Sequence, residues 1–524
     1  MFVLSGRRRP ALLAAGVAVA LVVSSCGTEI SGSPIAEGYV PPALASFYNQ
    51  TPAWGPCEGY ATDDETRKLY DRVDISCARL SVPLDYSKPT GTVISLGLLK
   101  VDALSPSRRI GSLIMNPGGP GDSGMVQAVE LSSQISDTDL AARFDLVGFD
   151  PRGVGASLPQ VHCLTDAEQD RQRLEVPLDD ENREADREQI ENQQYATDCA
   201  KRTGDAMLAN VGTRDVAKDL DVMRAALGDE KLTYLGYSYG TAIGTRYAAD
   251  FPKNVRAMIL DGAVDPDQND TDASLAQGSG FSDAFDAFAQ WCAKQSTCGI
   301  GTDPDKDEDQ LDKLSDPLKT KPIDVGSRKL SYQDIQTAVS AALYSQDQWP
   351  TLNKGLIQLG DGQGDILLSL ADQYLQRDED GHYSNTNDVF NAVHCADYPA
   401  VKDRQTLVQQ EKSYDQSVGV DPSTDDYVPP LGICAFWPVP NTSEPYVPNA
   451  PGLPQLLVVS TTHDPATPYQ QGVNLAKDLN ARLLTFDGTQ HTAFLSGNDC
   501  VDKWGIDYLT NLTLPPTGTT CSPQ

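Results

Sequence analysis

Residues 232–243 read LTYLGYSYGTAI: an apolar strand candidate, then Gly236-Tyr237-Ser238-Tyr239-Gly240, then a helical pattern that continues to Phe251. A serine between two glycines at a strand–turn–helix junction is typical of a nucleophile on a sharp, strained turn. The glycines let strand and helix approach without Cβ clashes. The helix N-terminus and the Tyr239 N–H would face the negative charge that develops during attack. The stretch predicts an α/β sheet with Ser238 at its carboxyl edge; the alternative is an incidental turn serine.

A serine hydroxyl becomes a good nucleophile only when a base, usually histidine, takes its proton. In this arrangement an acid and then the histidine follow the serine along the chain. His491 follows RLLTFDGTQ, a final strand and its loop, where the base is expected. Asp464 ends the preceding strand and lies 27 residues upstream of His491, a spacing that accommodates one helix and one strand. We predict a Ser238, Asp464 and His491 triad. The other histidines after Ser238 lack this context: His382, His394 and His463.

The segment NPGGPG at 116–121 follows the strand candidate SLIM, where such a sheet keeps the loop that completes an oxyanion hole. We predict the N–H groups of Gly119 and Tyr239 as the oxyanion donors, with Gly118 as the alternative to Gly119. The overlapping GDSG at 121–124 resembles the nucleophile loop of chymotrypsin-type proteases. That fold needs a histidine before the serine, yet the first histidine is His162. Ser123 is therefore expected to be a helix N-cap.

Strand candidates alternate with helical patterns in two separate regions, which indicates an α/β sheet. The first region ends near residue 262, and the second begins near 451. Residues 263–450 between them carry helical stretches and Pro-rich turns and are interpreted as an inserted, mainly helical domain. Asp150 and Arg152, in DPRGVG, are expected to form a structural turn with a buried ion pair; the alternative is a role near the pocket. The strand candidates are 112–116, 144–150, 232–237, 255–261, 455–460 and 482–486, and the helix candidates are 213–227, 281–291 and 469–479.

The N-terminus has the features of a lipoprotein signal peptide. Three arginines precede an apolar run that ends in Val23-Ser24-Ser25-Cys26, so residues 1–25 are interpreted as removed and Cys26 as acylated. Residues 26–56 are rich in Gly, Ser and Pro and suit a tether. The apolar run is too short to span a bilayer in place. We expect an exported protein held to the outer face of the cytoplasmic membrane by lipid on Cys26, or shed from it.

Charge and cysteine content narrow the class of protein further. The formal charge is −32, which opposes binding to nucleic acid or to an anionic membrane surface. Ten of the eleven cysteines remain beside Cys26, and an even number in an exported chain favours disulfides. Neither Cys-x-x-Cys nor His-Glu-x-x-His occurs, so no metal or cofactor is expected. Pairing neighbours along the chain gives 57/77, 163/199, 292/298, 395/434 and 500/521.

Taken together, the motifs resemble those of the tripeptidyl-aminopeptidase and proline-iminopeptidase branch of the α/β-hydrolases. Exported lipoproteins called carboxylesterase A are especially similar. The resemblance covers roughly residues 75–505. One departure is Asn116-Pro117, where many iminopeptidases have His-Gly, and it argues against strict proline specificity. The motifs that carry the resemblance are NPGGPG at 116–121, DPRGVGAS at 150–157, GYSYGT at 236–241, and HDPATP and GTQH near the C-terminus.

The resemblance implies an α/β-hydrolase core at 57–262 and 451–524, the second part being tripeptidyl-aminopeptidase-like, with 263–450 as a lid. It implies cleavage of short peptides from the amino end through an acyl-enzyme. Such an enzyme needs a carboxylate for the substrate ammonium, and Asp397, in HCADYP, is the candidate, against a plain surface aspartate. A carboxylesterase or lipase with the same triad is the alternative function; a non-catalytic binding lipoprotein is a remote one. The sequence does not specify an oligomeric state.

Overall fold

The computed structural model describes residues 40–178, 180–303, 306–417 and 427–523. The predicted signal peptide 1–25, the lipidation site Cys26 and the first part of the tether lie outside these ranges. Within the described ranges, no helix combines the length and apolar character that a bilayer crossing requires. The end of the predicted tether is packed, because a short helix at Ala45–Tyr48 buries Phe47 and Tyr48 in the main core.

Eleven strands and eighteen α-helices make up the described chain. The strands are β1 (Ile75–Pro83), β2 (Val93–Val101), β3 (Gly111–Asn116), β4 (Phe144–Asp150), β5 (Leu232–Tyr237), β6 (Val255–Asp261), β7 (Ile323–Val325), β8 (Arg328–Leu330), β9 (Leu457–Thr461), β10 (Arg482–Phe486) and β11 (Thr520–Cys521). The helices are α1 (Ala45–Tyr48), α2 (Asp64–Leu69), α3 (Gly124–Gln134), α4 (Asp139–Arg143), α5 (Asp166–Arg173), α6 (Glu181–Arg202), α7 (Asp205–Leu208), α8 (Thr213–Ala226), α9 (Tyr239–Asp250), α10 (Asp270–Cys292), α11 (Asp307–Ser315), α12 (Tyr332–Leu343), α13 (Trp349–Gly360), α14 (Asp365–Tyr374), α15 (Thr386–Asp397), α16 (Arg404–Ser417), α17 (Tyr469–Asp478) and α18 (Asp499–Asn511).

Nine strands form one mostly parallel sheet in the order β1-β2-β4-β3-β5-β6-β9-β10-β11. Only β2 runs antiparallel to its neighbours, β1 and β4. The central strands β3, β4 and β5 are buried almost throughout, as parallel strands covered on both faces should be. Helices α8, α9 and α17 share one apolar core with the sheet, whereas α3 and α18 share another on the opposite face. The predicted α/β sheet is confirmed, and helices flank it on both faces.

The insertion between β6 and β9 is mainly helical, with one small hairpin, β7–β8. Helices α10 to α14 have an apolar core of their own, centred on Phe288, Leu352 and Ala338. Helix α15 differs, because its Val389 and Ala392 belong to the core shared with the sheet. A lid function for this insertion stays a prediction.

All ten cysteines in the described ranges pair as the sequence order predicts. The disulfides join Cys57–Cys77, Cys163–Cys199, Cys292–Cys298, Cys395–Cys434 and Cys500–Cys521. The disulfide prediction is confirmed.

The prediction of an ion pair between Asp150 and Arg152 is wrong. The Arg152 guanidinium is fully buried and donates to both carboxylate oxygens of Asp219, each at 2.7 Å. Asp150 instead accepts hydrogen bonds from the Ser123 hydroxyl at 2.6 Å and from two backbone N–H groups. The two side chains part because Asp150 ends β4 while Arg152, beyond the turn, meets the helix that carries Asp219. Ser123 is the N-cap of α3, accepting from the Val126 N–H, which confirms that prediction.

Candidate active site

Ser238 lies on the turn between β5 and α9 in a strained backbone conformation, with φ 51° and ψ −124°. A non-glycine residue held at positive φ costs about 1–3 kcal/mol and persists only where its surroundings impose it. Here the Ser238 N–H donates to the Asp261 carbonyl at 2.9 Å. The flanking glycines are required: a Cβ on Gly236 would lie 2.5 Å from the Gly240 carbonyl oxygen, and one on Gly240 would lie 2.6 Å from that of Asn116.

Asp464 and His491 are in direct contact. The His491 Nδ1 lies 2.9 and 3.0 Å from the two Asp464 carboxylate oxygens, so the neutral imidazole carries its proton on Nδ1 and presents Nε2 as an acceptor. Asp464 is buried and also accepts from the N–H groups of Ala466 and Thr467 and from the Thr467 hydroxyl. Burial lowers the His491 pKa, but the charge and hydrogen bond of Asp464 outweigh it, so the pKa is raised overall.

Ser238 and His491 both lie next to Gly262. Tyr237 pairs with Asp261 across the sheet, so Gly262 is the strand-end neighbour of Ser238. A Cβ on Gly262 would lie 3.0 Å from the His491 Cε1. The His491 Nε2 is buried and has no hydrogen-bond partner among the described residues, Ser238 included. Nucleophile–base hydrogen bonds are often long without substrate and tighten when substrate binds. An unpaired buried acceptor beside the strained serine is what a general base needs.

The glycine loop after β3 lies against Ser238. A Cβ on Gly118 would lie 2.8 Å from the Ser238 Cβ. The Gly118 N–H is already bound to the Asn116 Oδ1 at 3.1 Å, so it is not free for an oxyanion. Gly119, at φ 98°, has an N–H with no acceptor among the described residues. The Tyr239 N–H opens α9, where the first N–H groups have no partner within the helix. The geometry therefore favours Gly119 and Tyr239 over Gly118.

Asp397 lies at the end of α15, and its carboxylate is already engaged. It accepts from the Thr213 N–H at 3.0 Å and from the Thr213 hydroxyl at 2.5 Å. The Tyr239 hydroxyl shares that Thr213 oxygen at 2.7 Å, which links Asp397 to the residue after Ser238. Burial raises the Asp397 pKa to about 6, although the Thr213 bonds oppose the shift. The carboxylate thus caps α8 near the site.

A second carboxylate, Asp122, follows the glycine loop directly. Its Cγ lies 3.5 Å from where a Cβ on Gly119 would be, so the carboxyl group folds back over the predicted oxyanion glycine. Its Oδ1 accepts from the Gln376 amide at 2.8 Å, while its Oδ2 accepts no hydrogen bond from the described residues. Burial raises the Asp122 pKa. Sequence reasoning missed this residue because it lies inside the GDSG motif, which the histidine order excludes as a nucleophile loop.

The insertion contacts the loops that carry His491, Asp464 and the glycine motif. The Tyr344 backbone carbonyl accepts a hydrogen bond from the His491 backbone N–H at 2.8 Å, and the Tyr344 ring packs edge-on against the imidazole. The Gln277 amide donates to the Ala466 carbonyl in the acid loop. Thr386, at the start of α15, donates to the Gly121 carbonyl in the glycine loop. No local sequence signal marks Tyr344 or Gln277, because each contact joins segments far apart in the chain.

The other histidines after Ser238 make different contacts. His382 is exposed and contacts Asp166 at 2.9 Å. His394 lies 3.3 Å from Asp270, stacks on Phe390 and lies tilted against Tyr398. His463 precedes Asp464, and its N–H donates to the Gly488 carbonyl.

Comparison with known proteins agrees with the fold and the class of site. The family model described as alpha/beta hydrolase fold matches residues 111–498. Serine protease Hip1 of Mycobacterium tuberculosis is 44% identical over 530 residues, which is 97% of this chain and 96% of that protein. Carboxylesterase B of Mycobacterium tuberculosis is 42% identical over 99% of both chains. Tripeptidyl aminopeptidase of Streptomyces coelicolor is 31% identical over 86% of this chain and 83% of that protein.

The parallel sheet, the serine on its strained strand-to-helix turn and the full-length similarity to these enzymes lead to one conclusion. The chain belongs to the α/β-hydrolase family and is a serine hydrolase.

Proposed function

We propose that this protein is a serine peptidase that removes short peptides from the amino end of its substrates through an acyl-enzyme. Ser238 is the nucleophile, His491 the general base, and Asp464 the acid that orients the imidazole. The observation that carries the proposal is the Asp464–His491 pair, whose free Nε2 is buried beside the strained Ser238 turn. The N–H groups of Gly119 and Tyr239 form the oxyanion hole.

The reaction follows from this geometry. The Ser238 Oγ attacks the scissile carbonyl carbon while its proton passes to the His491 Nε2. The carbonyl oxygen becomes an oxyanion that accepts from the Gly119 and Tyr239 N–H groups. The tetrahedral intermediate collapses, the C–N bond breaks, and the leaving amine takes the proton from His491. Water then gives a proton to His491 and attacks the ester carbonyl carbon; the bond from the Ser238 Oγ to the acyl carbon breaks, the Oγ takes that proton back from His491, and the peptide is released as its acid.

The relatives support a peptide substrate without excluding an ester. One is named a serine protease and another a tripeptidyl aminopeptidase, and both names specify action on peptides. The relative named Carboxylesterase B, at 42% identity, favours the alternative that the physiological substrate is a small or lipid ester. Both reactions use the same oxyanion and acyl-enzyme chemistry, so the substrate-binding groups must distinguish them.

A free amino terminus needs a carboxylate at a fixed distance from Ser238. Asp397 and Asp122 are the two candidates. Asp397 is linked to Tyr239 through Thr213, but both of its oxygens already accept from Thr213. Asp122 lies on the glycine loop and keeps one oxygen without a partner among the described residues. An ammonium could therefore bind Asp122 without displacing a protein hydrogen bond, whereas binding to Asp397 would compete with the cap on α8.

The test is a comparison of free-amine and N-acetylated di- and tripeptide p-nitroanilides on the purified mature chain. We expect the free amines to be preferred by about 1–3 kcal/mol in kcat/KM, the scale of one charge-assisted hydrogen bond. The variants Asp122→Asn and Asp397→Asn assign the anchor, because only the residue that holds the ammonium should abolish the preference while ester hydrolysis continues. Equal rates on both substrate forms would move the function to an esterase or endopeptidase.

The same enzyme is proposed to be exported and anchored by lipid on Cys26, with the five disulfides as support for an oxidising compartment. Metabolic labelling with palmitate should mark the wild-type chain and not Cys26→Ala. Label that persists in the variant would contradict the anchor.

A further inference from the structure

Asp261 is a buried carboxylate in contact with both halves of the proposed site. It is the last residue of β6, lies between β5 and β9, and has no exposed surface. Its backbone carbonyl accepts the Ser238 N–H at 2.9 Å. A single residue therefore fixes the backbone of the proposed nucleophile, although nothing in the reaction above gives its side chain a task.

The side chain of Asp261 reaches the loop that carries the histidine. Its Oδ2 accepts from the N–H groups of Ala493 at 2.9 Å and Phe494 at 2.7 Å, two and three residues beyond His491. Between them the chain reverses through Thr492, which has φ 62°, a conformation that needs external restraint in a β-branched residue. Asp502 on α18 restrains the same loop further along, by accepting from the Leu495 N–H at 2.6 Å.

The environment of Asp261 couples its charge to that of the imidazole. Its Oδ1 is buried and accepts no hydrogen bond from the described residues. Burial raises the Asp261 pKa to about 7; the two loop N–H groups and the charge of His491 oppose the shift, and the charge of Asp464 adds to it. In return, the Asp261 charge helps to raise the His491 pKa. The neighbouring ionisable groups are Asp464, His491, Tyr237 on β5 and, further along the loop, Asp502.

We infer that Asp261 is a positioning residue for His491: its carboxylate holds the backbone beyond the imidazole and places a second negative charge beside it. The inference rests on the proposed function. It predicts two separable effects, because a hydrogen-bond acceptor fixes the loop while a negative charge favours the imidazolium that forms when Ser238 loses its proton.

Two variants separate these effects, with hydrolysis of p-nitrophenyl butyrate as the assay. Asp261→Ala removes the acceptor and should lower kcat about 10- to 100-fold with KM changed less than about twofold, since a small misplacement of a catalytic group costs this much. Asp261→Asn keeps an oxygen for both N–H groups and places its amide nitrogen where Oδ1 has no partner. It should keep kcat within about threefold of wild type.

The pH profile tests the charge, which a purely structural role would not alter. Removing a negative charge beside the imidazole destabilises its protonated form and lowers the His491 pKa. Because neutral His491 is the active form, this pKa sets the acidic limb of the profile. The acidic limb of kcat/KM should therefore move to lower pH in Asp261→Asn, and most in its part above pH 7, where Asp261 is ionised. The matched control is Asp145→Asn, a buried carboxylate at the start of β4 that accepts the Ala103 N–H, and its pH profile should equal that of wild type.

A kcat of Asp261→Ala within twofold of wild type, or an unmoved acidic limb in Asp261→Asn, would overturn the inference. If Asp261→Ala fails to fold, the pH profile of Asp261→Asn decides alone. A wild-type chain that neither hydrolyses the ester nor reacts with a fluorophosphonate would remove the proposed function and the inference together. An active wild type with unaffected variants would overturn the inference only.

Discussion

Replacement of Gly118 by alanine should damage catalysis far more than folding. The new Cβ would lie 2.8 Å from the Ser238 Cβ, 2.9 Å from the Tyr237 carbonyl oxygen and 3.3 Å from the Tyr239 nitrogen. None of these atoms is the end of a flexible side chain, so the glycine loop or the Ser238 turn must move. Ordinary contact begins near 3.4 Å, which requires a displacement of about 0.6 Å. Because a misplacement of about 1 Å costs about 100-fold, we expect kcat to fall roughly 10- to 100-fold.

The control for Gly118→Ala must share its backbone strain without the contacts. Gly118 has φ 115°, and an alanine at positive φ costs about 1–2 kcal/mol wherever it stands. Gly518 has φ 77°, and a Cβ added there would meet no atom within 4 Å, so Gly518→Ala isolates that cost. Steady-state kinetics on p-nitrophenyl butyrate and thermal unfolding would be measured for both. The reasoning is refuted if Gly118→Ala keeps kcat within threefold of wild type while being as stable as Gly518→Ala.

Three further predictions concern pH and stability. Because the His491 pKa is raised above 6.5, protonation removes the general base already above that pH. The acidic limb of kcat/KM should therefore have its midpoint above pH 6.5 and fall about tenfold per pH unit below it. A midpoint below 6.5 would contradict this. The double variant Cys163→Ser/Cys199→Ser removes a disulfide that spans 36 residues and should lose about 2–4 kcal/mol of unfolding free energy in denaturant titration. The loss should be smaller for Cys292→Ser/Cys298→Ser, whose disulfide spans 6 residues. Arg152→Met leaves Asp219 buried without its ion-pair partner and should lower the free energy of unfolding by about 3–5 kcal/mol. Lys88→Met, at an exposed ion pair, should change it by less than about 1 kcal/mol. Equal losses would refute the argument.

The elements that build the sheet could be predicted from local stretches of sequence. The strands at 144–150, 232–237, 255–261 and 482–486 have the predicted bounds, because a buried parallel strand is a short apolar run recognisable without its neighbours. The same local pattern predicts that Ser238, Asp464 and His491 follow the strands β5, β9 and β10, in that order along the chain. The hairpin strands β1 and β2 were not predicted, since they lie outside the two regions in which strands alternate with helices.

The contacts between side chains, in contrast, depend on how the chain folds in three dimensions. Arg152 pairs with Asp219, 67 residues away from it, instead of Asp150, and the carboxylate of Asp397 is taken up by Thr213, 184 residues away. Asp261 bonds the backbone beyond His491 across 232 residues. A carboxylate is satisfied by whichever donors the fold brings within about 3 Å, and a local stretch of sequence carries no record of that choice. The positions of Ser238, Asp464 and His491 at strand ends could therefore be predicted from the chain, while the contacts around them became visible only in three dimensions.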